Sequence, residues 1–172
     1  MTFCSVNTGI AQENDVNTRI SLQESLNFFG FSAGPADGVL GPKTQNAISD
    51  MQSCLVEKKS GALSKASQEF LIESYQIAKA QQLSGSCALL KAFVNSVYQC
   101  PPATWAQLFS CSFSSENRVA TVCGSGEQAR FRLGRKGRMP ELSFLQPLKD
   151  IYVPWMGIGR YKNEAIAFEK NG

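Results

Sequence analysis

The sequence predicts an α+β protein: a small N-terminal α-helical bundle, a linker helix, then an antiparallel β-sheet or small barrel. Three observations carry this. Apolar residues recur at three- and four-residue spacing as far as about residue 99, and at a spacing of two beyond it. Dense turn signals cut both halves into short elements. The charge is also divided unevenly. Residues 1–84 hold six Lys and Arg against eight Asp and Glu, and residues 85–172 hold eleven against six, so the halves carry −2 and +5. That step marks two modules with different surfaces, expected at residues 15–82 and 87–172 after a tail at 1–14. Within the tail, Gly9-Ile10-Ala11 has the small-x-small form of a cleavage site. The tail is therefore expected to be either a plain extension or the remnant of a signal region.

The first helix is expected to start at an Asp15 cap and to carry Leu22, Leu26 and Phe29 on one face, with Gly30 as a left-handed cap. The run from Gly34 to Pro42 is a dense turn signal, and Pro42 suits the first turn of a second helix because its missing donor would be unpaired there. That helix places Ala47, Ile48, Met51 and Leu55 on one stripe, with Lys58 and Lys59 complementing the dipole at its end. Ser60-Gly61 breaks it, and a third helix follows from about Ser64 to Gln81 with Phe70, Leu71 and Ile77 inward. Ser84-Gly85-Ser86 links to a helix over 87–99, which Pro101-Pro102 stops.

Beyond that point the strands are expected at Trp105–Phe113, Arg118–Cys123, Gln128–Leu133, Glu141–Leu145, Ile151–Pro154 and Glu164–Glu169. The chain ends on Asn171-Gly172, a hairpin dipeptide with no strand after it. Six cysteines without a Cys-x-x-Cys pair favour disulfides and an oxidising compartment over a metal site. Cys87 and Cys100 flank a helix whose thirteen residues span about 20 Å, too far to bridge. A three-residue loop at 116–118 would set Cys111 opposite Cys123, which predicts a Cys111–Cys123 bridge, whereas a loop one residue shorter or longer would break that register.

Composition excludes several kinds of chemistry. The 172 residues contain no histidine, so a Ser-His-Asp triad, a Cys-His dyad and an imidazole zinc site are ruled out. Gly124-Ser125-Gly126 is not a Gly-x-Ser-x-Gly elbow. Glu116, Glu127, Glu141, Glu164 and Glu169 are scattered near strand ends and hairpins, which is where solvated carboxylates sit. The expectation is a protein without enzymatic activity, cofactor or metal. No run of 18 apolar residues occurs, so no membrane span is expected.

The stretch from Gln23 to Gln52 has a definite order and spacing. Gln23 and Leu26 are followed by Gly30-Phe31, then by Gly34, Asp37, Gly38, Gly41 and Thr44, the apolar helix Ala47–Met51, and Gln52. This pattern resembles the peptidoglycan-binding domain family of bacterial cell-wall proteins. The likeness covers about residues 15–80, and Gly61-Ala62-Leu63 is similar to the family's closing Gly-x-Leu. The short link between the second and third helices and the presence of Cys54 depart from the pattern. The resemblance implies a three-helix module that binds peptidoglycan, in a protein of the periplasm or the cell exterior. The residues by themselves indicate scaffold roles: Gly38 for a positive φ, Asp37 for an Asx-turn, and Thr44 for orphan amides at a helix start.

The second half offers a candidate partner surface. Arg130, Arg132, Arg135, Lys136 and Arg138 form a basic hairpin suited to an anionic envelope polymer or an acidic protein. No nucleic-acid motif accompanies it, so no nucleic-acid partner is expected. Trp155, Arg160 and Tyr161 join that surface as candidates. Gly157-Ile158-Gly159-Arg160-Tyr161 resembles the Gly-x-Arg-Tyr segment of the periplasmic C-type lysozyme inhibitor family, and Leu108–Leu142 is similar to β domains of uncharacterised secreted proteobacterial proteins. The expected function is non-catalytic binding of peptidoglycan, with the β domain contacting a second partner. The alternative is an inhibitor or accessory subunit of a lysozyme-like or other cell-wall enzyme.

Overall fold

The computed structural model describes residues 8–101, 105–113, 117–152 and 167–168. Among these described residues, four α-helices precede six strands: α1 (Thr8–Phe28), α2 (Pro42–Cys54), α3 (Lys65–Ala80), α4 (Cys87–Ser96), β1 (Ala106–Phe113), β2 (Arg118–Ser125), β3 (Gln128–Arg135), β4 (Leu142–Pro147), β5 (Ile151–Tyr152) and β6 (Ala167–Phe168). The fold is α+β, and the chain divides into two compact units, one up to Val94 and one from Asn95.

In the helical unit the apolar stripes of the sequence meet. Leu22, Leu26 and Phe29 of the first helix and its end are buried, as are Ala47, Ile48 and Met51 of α2 and Phe70, Leu71 and Ala78 of α3. Phe29 also meets Phe93 of α4 edge-on, with ring centroids 6.5 Å apart. Each element has a local cause. Ser64 caps α3 by accepting from the Ser67 amide. Pro42 occupies the first turn of α2, after Gly41 at the cap. Helix α1 starts at Thr8 and not at an Asp15 cap. Asp15 lies inside the helix, where its carboxylate accepts from Arg19 Nη1 one turn on at 2.6 Å. The Cys54–Cys87 disulfide joins the end of α2 to the start of α4.

The second unit is an antiparallel meander in the order β1-β2-β3-β4, with β5 paired to β6 in a separate two-stranded sheet. Every residue from Val119 to Gly124 of the central strand β2 is buried. The segment that follows α4 is fastened across one sheet face. The Thr121 hydroxyl donates to the Tyr98 carbonyl at 3.0 Å, and Arg132 Nη1 donates to the Val97 carbonyl at 3.0 Å. Gly134 of β3 makes room for Tyr98, because a Cβ there would lie 2.1 Å from the phenol oxygen. On the opposite face Phe131 stacks on its cross-strand partner Phe144 at 4.9 Å.

The expected Cys111–Cys123 bridge is not formed. Cys123 is bonded to Cys100, and Cys111 has no disulfide partner among the described residues. The reason is register. Phe113 pairs with Arg118, so the connection is four residues long, and Cys111 faces Ala120. Ala120 and Cys123 are an odd number of positions apart on β2 and point to opposite sides of the sheet. Cys123 therefore meets the segment after α4, where Cys100 lies.

Candidate functional site

The loop between α1 and α2 is built around a buried amide. Gln23 on α1 is 1% exposed. Its Oε1 accepts from the Gly38 amide at 2.7 Å. Its Nε2 donates toward Asp37 Oδ1 at 3.1 Å, the Val39 carbonyl at 3.1 Å and Thr44 Oγ1 at 3.3 Å. Thr44 passes the network on, donating to the Ala33 carbonyl at 3.3 Å. Asp37 Oδ1 also accepts from the Val39 amide at 2.9 Å, closing an Asx-turn. The Val39 amide, and after it the Gln23 side chain, hold the Asp37 carboxyl below its ordinary value.

Glycine is required at one point of this loop above all. Gly38 has φ +78°, and a Cβ there would lie 3.1 Å from Val16 Cγ1. Gly30 ends α1 with φ +91°, its amide and that of Phe31 reaching back to the carbonyls of Asn27 and Leu26. Leu26 and Phe31 are buried core residues. Gly34 takes φ +84°, and Gly41 accepts the first helical bond of α2 from Gln45. Nine of the ten motif residues, Gln23 to Thr44, therefore belong to one loop and the helix ends around it. The tenth, Gln52, does equivalent work elsewhere. Its Oε1 accepts from the amides of Ser60 and Gly61 at 2.7 and 3.1 Å, and its Nε2 donates to the Ala62 carbonyl at 2.9 Å.

A groove of about 430 Å³ opens on the first loop. Ala33, Pro35, Val39 and Pro42 supply apolar walls, buried Gln23 and Thr44 lie beneath, and Asp37 and Lys43 contribute the charges. Val39 is 66% exposed although apolar. The Lys43 stem lies along Gly34, where a Cβ would be 3.4 Å from Lys43 Cδ. Motif reading alone missed these wall residues. It also missed Asn27, whose Nδ2 donates to the Gly34 carbonyl at 2.8 Å and whose Oδ1 accepts from the Ala33 amide at 2.9 Å. An asparagine in the last turn of a helix was the available signal, since such a side chain competes for nearby backbone groups.

The basic hairpin of the second unit is not one surface. Arg132 is buried, because it shares a face with Thr121 and its guanidinium is held by the Val97 carbonyl. Arg130 places its guanidinium 4.7 Å from the centroid of the Trp105 ring. Arg135 and Lys136 are exposed at the tight turn and Arg138 is half-buried, with the Arg138 amide bonded to the Arg135 carbonyl at 3.1 Å. Glu141 is paired with Arg118 and lies 3.8 Å from Arg135 Nε. Trp155, Arg160 and Tyr161 lie outside the described residues. Among the described residues, no group of three or more Cys, Asp or Glu is placed to hold a metal ion, and no helix is long and apolar enough to cross a membrane.

With this geometry in place, comparison with known proteins adds one finding. Residues 16–54 match the family model described as "Putative peptidoglycan binding domain", so the N-terminal region carries a domain of that family. The match spans α1 from Val16 onward, the groove loop and α2. No curated protein and no solved structure matches the chain. A domain of this family together with two disulfides marks an extracytoplasmic protein.

Proposed function

We propose, from a helical unit that carries a domain of the peptidoglycan-binding family, that the protein binds peptidoglycan in the groove between Ala33 and Thr44. The observation behind this is a division of labour in the loop. Gln23, Asp37, Gly38 and Thr44 hold the backbone in place, while Val39 and Lys43 remain presented at a concave surface. A preformed groove avoids the ordering cost of binding with a flexible segment. The reading is of a non-catalytic protein acting in the periplasm or as a secreted protein. Two things support it: the sequence lacks the histidines of triad, dyad and zinc hydrolases, and Glu141 is engaged by arginines.

Sedimentation of the purified chain with sacculi tests the proposal. The protein is expected in the pellet well above a control protein, and Val39→Asp or Lys43→Glu should return most of it to the supernatant. Wild-type protein left in the supernatant would overturn it. For the β unit, the Arg135-Lys136-Gly137-Arg138 turn supports contact with a second partner that is anionic, an envelope polymer or an acidic face of a cell-wall enzyme.

A further inference from the structure

We infer that the groove recognises the peptide stem of peptidoglycan and not its glycan strand. This rests on the proposal that the groove is the binding site, and adds which part of the polymer it reads. The first argument is the nature of the walls. Sugars are held in proteins by flat aromatic faces and fans of polar groups, yet no aromatic ring among the described residues lines this groove. Its lining is aliphatic, from Pro35, Val39 and Pro42, and the polar atoms beneath are already occupied. Both ends of the Gln23 amide are bonded to the loop, and the Thr44 hydroxyl is turned to the Ala33 carbonyl. Few inner hydrogen-bonding groups are left to satisfy a row of sugar hydroxyls, and burying those hydroxyls unpaired would cost affinity.

The second argument is charge. The groove carries one carboxylate and one ammonium, Asp37 and Lys43. Asp37 is held in orientation by two donors on one oxygen, and a carboxylate with about four lone-pair sites keeps capacity to accept more. Lys43 lines the groove with its stem laid against Gly34. The glycan offers this pair less: its sugars carry no cation for Asp37, and for Lys43 only the lactyl carboxylate of a muramic acid freed of its stem. The stem peptide does: alanine methyls for the aliphatic walls, free carboxylates for Lys43, and the side-chain amine of its diamino acid for Asp37. The occupant that complements both the apolar and the charged parts of the lining is a short peptide bearing both charges.

The experiment uses the full chain, isotopically labelled, and two soluble probes: the stem tetrapeptide cut from glycan by an amidase, and the peptide-stripped glycan strands. Sacculi sedimentation is run in parallel. The stem is expected to shift the amides of Val39, Gly41 and Lys43 and to saturate, while stripped strands leave them in place. Lys43→Glu should weaken stem binding about tenfold, the loss of one charge-assisted contact. Stripped strands that bind as tightly as the stem would overturn the inference while leaving peptidoglycan binding intact. Stem binding that leaves the groove amides unmoved would also overturn it. A chain that ignores sacculi as well as both probes would overturn the inference and the proposed function together.

Discussion

Two loops of the helical unit are pinned by the same side chain in two different settings. Gln23 holds the α1–α2 loop and Gln52 holds the α2–α3 loop, each accepting from loop amides and donating to loop carbonyls. The partners differ in their access to water. Gly38 is buried, whereas Ser60 is exposed. The first loop also carries the groove, and the second carries none of its lining. The contrast teaches that a buried glutamine is a general device for fixing a loop. What makes one loop a candidate site is what its backbone presents once fixed.

The largest expected effect comes from breaking the first pin. Gln23→Ala removes the partner of the buried Gly38 amide and leaves the groups it held unpaired, at a cost of about 3 kcal/mol. Urea unfolding should show that loss, and sacculi binding should fall with it because the groove is no longer held. Gln52→Ala strikes a loop that water can reach, so the orphaned Ser60 amide is resolvated and the cost should be about 1–2 kcal/mol. Its binding should stay near wild type at temperatures where the variant is folded. Equal binding losses in the two variants would erase the distinction between the loops.

The contrast also explains what was legible in the sequence. Thr44 was expected to satisfy amides at the helix start, but α2 has no side-chain cap and the Thr44 hydroxyl instead joins Gln23 to the Ala33 carbonyl. Asp37 and Gly38 were readable because their work is local chemistry: an Asx-turn and a positive φ. The helical stripes were readable for the same reason, since Leu22, Leu26 and Met51 repeat at the helical period. The groove walls were not, because an exposed valine in a turn looks the same whether or not a concavity forms beside it. The strands were visible by their alternation, but not the register between β1 and β2. Near the hairpin that register depends on one residue of loop length, and an error there moves Cys111 to the wrong face; a bulge between Gln107 and Phe109 shifts the register again at the far end of β1. Arg132 shows the same gap. Two positions apart on β3, Arg130 and Arg132 share a face, but only the packing of Val97 and Tyr98 shows that this face is covered at Arg132.

A smaller effect of opposite sign is expected in the second loop. Val56, 73% exposed, ends α2 with φ +58°, a left-handed position where β-branched residues are strained. Its amide bonds the Ser53 carbonyl and that of Glu57 bonds the Gln52 carbonyl, the pattern in which glycine is usual. Val56→Gly should raise stability by about 0.5–1 kcal/mol, the relief of strain exceeding the added freedom of the unfolded chain. The gain should appear in the Gln52→Ala background as well, because the strain is in the backbone and not in the amide network. Thermal melts of the four combinations would check it.

The smallest effect tests whether the first loop depends on charge as well as on shape. The Val39 amide and the Gln23 side chain hold the Asp37 carboxyl below its ordinary value. A carboxyl depressed in the folded state contributes stability that is complete above its unfolded value, about 4, and is lost as pH falls through the folded value. Asp37→Asn keeps an acceptor oxygen for the Val39 amide but does not titrate. The melting temperature of the wild type should therefore fall more steeply than that of Asp37→Asn below about pH 4, with the two curves running parallel above it. Asp37 is an exposed residue, so the divergence should be small. Curves that stay parallel into acid would mean that the loop is held by neutral hydrogen bonds alone. The Asp37 charge would then be available to a ligand without any cost to the fold.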